Sequence, residues 1–284
     1  MNRTVLLWAF VMLCASSPLG AQNLDGRPYT PGVDPDINLY MNTWKNSPPV
    51  MTHGTLEERD ILTKGDPMKP PAKGAVLKYV NGFTHGTLAP KTSTTPTKLK
   101  GEQEIFYFLT GTGTIKAGSN KADLYSGISI LMPPDREFTI TSTGDEPLTM
   151  YIIKEPIPKD FKPVKNMVVK DENTLPISGT TGHWAHIVKG VFSKDDGLGT
   201  MLAVLTVTYD QMTIGHPHSH EGEFEEVWTA ISGTSVAFLG KKIVWQPPGT
   251  GYMIPPDGNT PHANINPTEG PVKLLYFSTR FDIK

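Results

Sequence analysis

The sequence predicts an all-β chain of two barrels in tandem behind an extended N-terminal arm, and three observations predict it. Glycine and proline, 27 and 26 of the 284 residues, are too dense for long helices and suit short strands joined by turns. Short β-rich runs recur at 105–109, 128–132, 149–153, 201–208, 227–231, 252–254 and 272–277, the spacing of a sandwich or barrel. One unit also occurs twice. Residues 104–111 (EIFYFLTG) match residues 226–233 (EVWTAISG), Pro133-Pro134-Asp135 matches Pro255-Pro256-Asp257, and each pair is offset by 122 residues.

Taken in order, the chain begins with Arg3, an apolar run over 5–13 and a small-residue stretch ending Gly20-Ala21-Gln22, which reads as a signal peptide, 1–21, cleaved after Ala21. The run falls short of the ~20 apolar residues a spanning helix needs. Cys14, the one cysteine, lies inside it, so the mature chain is expected to be cysteine-free and its location secreted or periplasmic. Residues 22–74 carry Pro28, Pro31, Pro35, Pro48, Pro49, Pro67, Pro70 and Pro71 and little periodicity, and read as the extended arm, with a short helix near Asn38 to Trp44. The first barrel is expected at 75–160, a proline-bearing linker at 161–184 and the second barrel at 185–284.

Composition narrows the function. Against 28 acidic residues stand 26 basic ones, a net charge of -2, which offers nucleic acid and acidic lipid no general attraction. The expected partner is a small-molecule substrate, with a homo-oligomer left open. Without cysteine, a metal would rest on imidazole and oxygen ligands. The sequence shows neither a glycine-rich phosphate loop nor a nucleophile elbow.

The chemistry gathers in the second copy. Residues two apart on a strand project from one face, so His218 and His220 point together, and Glu226, Trp228 and Ala230 share a face. Farther on, His262 follows a Pro256-Asp257-Gly258 turn, so three imidazoles and a carboxylate can converge. Glu225 would also satisfy the distance from the histidines, but Glu226 keeps the spacing to Gly233 and has Glu104 as its repeat partner. His216 extends the alternation and is placed at the barrel mouth. In the first copy the offset sets Pro96 and Lys98 against His218 and His220, with Phe138 or Ile140 near the place of His262. Only Glu104 survives, so that barrel is expected to be metal-free and apolar. His183 and His186 read as non-catalytic, His53 and His85 as lacking neighbours, and Trp44 and Trp228 as packing residues, with Trp228 also able to line a cavity.

These residues resemble the cupin superfamily, whose first motif is HxH, a glutamate and a glycine (here His218, His220, Glu226, Gly233) and whose second is G, PxG and H (Gly251, Pro256, Gly258, His262). Both copies together cover about two thirds of the chain. Five residues separate His220 from Glu226, where the family has three or four. The resemblance implies two double-stranded β-helix (jelly-roll) barrels and one divalent transition metal, Fe, Mn, Cu, Ni or Zn, in the second. It also implies oxygenases, oxalate-degrading enzymes, isomerases and lyases as the range of activities. A secreted oxidoreductase of dioxygenase or oxidase type, acting on a small oxygen-rich or phenolic compound, is the first expectation. A sugar-acid lyase or isomerase and a non-catalytic binding bicupin are the alternatives.

Overall fold

The computed structural model describes residues 28–178 and 186–280. The expected signal peptide and His183 lie outside them. The fold is all-β, and each barrel is a sandwich of one large and one small antiparallel sheet. In the first barrel the large sheet runs Val168–Asp171, Ile128–Met132, Glu102–Thr110, Leu148–Pro156, Gly82–Leu88, Leu56–Lys64, Val50–Thr52, with Ala75–Leu77 paired to Leu56–Lys64. The small sheet is Phe138–Ser142, Gly113–Ala117, Asn120–Leu124. In the second barrel the large sheet runs Met41–Thr43, Thr250–Tyr252, Phe224–Ser232, Val272–Arg280, Met201–Tyr209, His186–Ser193. Its small sheet is Thr213–Ile214, His262–Asn266, Ser235–Leu239, Lys242–Gln246.

Strand alternation divides each large sheet between two cores. Phe106 and Phe108 face the interior of the first barrel with Ile115, Phe138, Ile140 and Met150. Ile105 and Tyr107 point the other way, into a cluster that joins both barrels through Phe83, Tyr151, Val204, Val227, Leu275 and Phe277. Val227 lies in that joint, whereas Trp228 and Ala230 face the second barrel, as the alternation predicts.

The regions expected to be arm and linker contain strands among their described residues. Leu56–Lys64 pairs with Gly82–Leu88, so the first barrel begins well before residue 75. The expected helix near 38–44 is two 3-10 turns, Ile37–Leu39 and Trp44–Asn46, flanking the strand Met41–Thr43. That strand precedes the first barrel but pairs with Thr250–Tyr252 of the second. Reciprocally, Val168–Asp171 precedes the second barrel and pairs with Ile128–Met132 of the first. Each repeat therefore gives its leading strand to the other barrel, covering an edge that would otherwise stand open. Prolines between these short strands hide their periodicity in the sequence.

Candidate metal centre

The second barrel's four candidate residues arrive from three places. His218 and His220 lie on the segment after Thr213–Ile214, and His218 is tied to His262 by a reciprocal backbone pair, 3.1 and 2.8 Å. Glu226 sits in the strand Phe224–Ser232, and His262 opens the strand His262–Asn266. The turn between is set by Asp257, whose Oδ1 accepts from the backbone N–H of Asn259 and Thr260 at 2.8 and 2.7 Å. Gly258, at φ 75°, takes the left-handed conformation there while its N–H bonds the His220 carbonyl at 2.7 Å. Gly251 is dictated by space, since a Cβ there would lie 2.7 Å from Thr229 Oγ1 and 2.8 Å from Ile61 Cγ2.

One donor atom from each of His218, His220, Glu226 and His262 lies within 4.8 Å of all the others. Glu226 Oε1 is 2.7 Å from His262 Nε2, and Oε2 is 3.0 Å from His220 Nε2. His218 Nδ1 is 2.8 Å from the His216 carbonyl, which fixes that nitrogen as the N–H and leaves Nε2 as a lone-pair donor. Burial would raise the Glu226 carboxyl, but the imidazoles of His262 and His220 hold it well below the ordinary range. Burial, then the His262 ring, lowers the His218 imidazole, so it stays neutral. One carboxylate and three imidazoles are the donor set a divalent transition metal takes, and the residues fit that ion.

Two further groups hold Glu226. The Trp228 indole N–H donates to Oε1 at 2.5 Å, and the Tyr276 hydroxyl donates to Oε2 at 3.2 Å. Burial, and after it the Glu226 charge, pushes the Tyr276 phenol well above its usual value, so it remains a donor. Trp228 and Tyr276 are cross-strand partners. Tyr276 carried no sequence signal, because only the strand register brings it to the site. Glu225 points away, its carboxylate accepting the backbone N–H groups of Lys78, Tyr79 and Val80 at 2.6, 3.0 and 3.1 Å. Its role is to bind the first barrel.

Beside the donors lies a cavity of about 160 Å³. Its walls are Val188, Leu205, Val207, Tyr209, Trp228 and Tyr276, and His218 and His262 form one end. His186 packs on Tyr209, ring centres 3.9 Å apart, and lines the cavity, as does the exposed His216. Neither belongs to the four-donor group.

The first barrel corrects the sequence reading twice. Leu239 pairs with His262 and Ala117 with Phe138, and residues 117 and 239 are repeat partners, so Phe138 takes the histidine's place. The Thr97–Phe138 bridge matches the His218–His262 bridge, and Leu99 O accepts from Asp135 N as His220 O accepts from Gly258 N. Thr97 and Leu99, not Pro96 and Lys98, are thus the counterparts of the two histidines. The loop before the glutamate is one residue shorter in this copy, which shifts the offset. Nor is Glu104 alone in an apolar site. His53, on a tight turn at φ 46°, reaches in to place Nε2 3.3 Å from Glu104 and 3.8 Å from Glu58. Lys154 Nζ is 2.8 Å from Glu58 and raises the positive charge to match. His85 also has neighbours, stacking on Trp44 at 4.6 Å, and burial lowers its imidazole to about 4.

Comparison with known proteins agrees with this architecture. The cupin domain family model matches residues 84–154. That segment lies in the barrel without the histidines, so the match speaks to the β scaffold. No curated protein sequence matches the chain. Among solved structures, protein Ylba from E. coli is 14% identical with a TM-score of 0.64, covering 92% of this chain and 99% of its own. Oxalate decarboxylase from Lactobacillus farciminis, in its formate complex, is 11% identical with a TM-score of 0.64 over 87% and 88%. The 7S globulin of Momordica charantia is 11% identical with a TM-score of 0.62 over 86% and 85%. Residues 84–154 thus match the cupin domain family, and the paired barrels share the fold of these two-barrel solved structures.

Proposed function

We propose that the protein is an exported, metal-dependent oxidoreductase of dioxygenase or oxidase type acting on a small phenolic or oxygen-rich compound. The observation that carries this reading is a four-donor group that opens on a small, mostly apolar cavity. A divalent Fe, Mn, Cu, Ni or Zn ion, when bound, supplies a Lewis-acid centre with open positions for an anionic oxygen and, if redox-active, the electrons an oxidation needs. His218, His220, Glu226 and His262 hold that ion. Trp228 and Tyr276 orient the Glu226 carboxylate, and the aliphatic walls receive the body of the substrate while excluding water.

Size and polarity favour the phenolic member of the proposed class. An apolar cavity of ~150 Å³ accommodates one benzene ring. The wall is mainly apolar, with Val188, Leu205, Val207 and Trp228, so a second carboxylate, as in oxalate, would depend on the few polar groups that line it, such as His186 and Asn264, and its burial away from them is costly. The likeness to oxalate decarboxylase is one of fold and carries no activity to this chain.

The test is turnover of simple phenols and small carboxylic acids by metal-loaded protein, with and without O2. O2-dependent consumption that disappears in His218→Ala and Glu226→Gln is expected. Equal turnover without O2 favours a lyase or isomerase, and binding without turnover favours a non-catalytic bicupin. Export is checked by N-terminal sequencing, with a start at or near Gln22 expected and a soluble cytoplasmic chain retaining Met1 as the contrary result.

A further inference from the structure

The small sheet of the second barrel has an outer face unlike its repeat counterpart. Register aligns Ile214, Ile265, Val236 and Trp245 in one row across all four strands, and Ala263, Phe238 and Ile243 in the next. Ala237 and Leu239, between them on the same strand, point into the barrel core, so these two rows point out. Ile214 is 56%, Ile243 71% and Trp245 65% exposed, with Met212 at 72% beside them. Among the described residues nothing covers these four, whereas Val236 and Ala263 in the same rows are buried at 8% and 3% exposure.

The first barrel supplies an internal control. Val236, Phe238, Ile243 and Trp245 correspond by the repeat offset to Thr114, Lys116, Lys121 and Asp123, which make the same pairings. Ile265 and Ala263 correspond through register to Thr141 and Thr139. One fold, one face and one register thus carry threonine, lysine and aspartate in one copy and apolar side chains in the other. The scaffold does not require apolar residues there, so in the second barrel they serve contact with something else.

We infer that this face is the interface of a two-fold dimer, with a second copy of the chain packed back to back on the outer rows of Ser235–Leu239 and Lys242–Gln246. Within the rows there is no charge to repel a copy of itself, and an isologous interface sets like residues against like. The neighbouring cations are already engaged, Lys241 with Asp34 at 3.5 Å and Lys242 with Asp36 at 3.9 Å, so the basic rim an acidic lipid surface would need is missing. Four strands at ~4.8 Å and five residues at ~3.3 Å project on the order of 300 Å². The relief of Trp245, Ile243, Met212 and Ile214 and a polar rim add to this, but the total stays below the roughly 800 Å² per partner of a standard interface, so the dimer is a weak one that associates at micromolar concentrations. A tryptophan among aliphatic residues is also the composition of interface centres.

The experiment is sedimentation velocity on the whole folded protein between ~1 and ~100 µM, the range in which an interface of this size associates. Twice the chain mass is expected, with Trp245→Lys and Ile243→Lys each weakening association at least tenfold. Lys116→Ala with Lys121→Ala, on the counterpart face, leaves the dimer unchanged. The thermal midpoint reports whether each variant is folded, and Ile243→Ser replaces any that is not. A wild type that stays monomeric at ~100 µM overturns the inference, whether another protein, a lipid surface or residues 1–27 of the same chain cover the face. A dimer indifferent to every substitution on the two rows overturns it as well.

Discussion

Glu226 is held from several sides, with two imidazoles, an indole and a phenol around one carboxylate. Trp228→Phe keeps the ring and removes the donor, so metal affinity is expected to fall about 10- to 100-fold, the usual effect of losing a partner that orients a ligand. Titration of the apo protein with a divalent metal measures it. The two adjacent glutamates separate by the same assay. Glu226→Gln abolishes tight binding, whereas Glu225→Gln leaves the donor set whole because that side chain faces Lys78 to Val80. Both glutamates have comparable standing in the sequence until the repeat partner Glu104 is counted; strand alternation then decides between them. His53 was not legible, since the turn that brings it to Glu104 joins residues 51 apart in the chain. Its burial alone would lower the imidazole, but Glu104 and Glu58 outweigh it and raise it. The resulting stabilisation is complete below the ordinary histidine range and is lost as pH rises through the higher folded value. The gap in urea midpoint between wild type and His53→Gln is therefore expected to narrow from pH 6 to pH 9, and a constant gap would contradict the ion pair.

At the scale of elements, the two barrels hold each other through matched contacts. Glu225 of the second barrel caps the amides of 78–80, and Glu155 of the first accepts from Thr200 N and Oγ1 and Met201 N at 2.5, 2.9 and 2.6 Å. Residues 78 and 200 are offset by 122, so the donor segments repeat the internal symmetry of the chain, whereas the acceptors do not: the counterpart of Glu225 is Gln103 and that of Glu155 is Phe277. Glu155 also accepts from Gln103 Nε2 at 2.6 Å and is fully buried. Glu155→Ala strands several buried donors and is expected to cost about 3–5 kcal/mol, read as a fall in the midpoint of chemical unfolding. Periodicity and the repeat made the central strands visible in the sequence, because they alternate over five or more residues. Met41–Thr43 and Val168–Asp171 were not visible, being three and four residues long and identified as strands by their partners in the other barrel.

The whole molecule is one cooperative body with two unlike halves. The exchanged strands and the shared cluster around Phe83, Tyr151, Val204 and Phe277 tie the separate barrel interiors together. Heating is expected to give a single transition with equal calorimetric and van't Hoff enthalpies, and two resolved transitions would show that the barrels are independent. The halves differ in what fills the equivalent place. In the first barrel Thr97, Leu99 and Phe138 replace the histidines, and Lys154 and His53 answer the charges of Glu58 and Glu104 from within the chain. In the second, a carboxylate and three imidazoles converge. On the proposed reading the second barrel alone holds a metal ion. Elemental analysis of folded protein purified from its native compartment tests it most directly. About one divalent transition metal per chain in the wild type, absent from His262→Ala, is the predicted result; two metals per chain, none, or one that survives His262→Ala would contradict it.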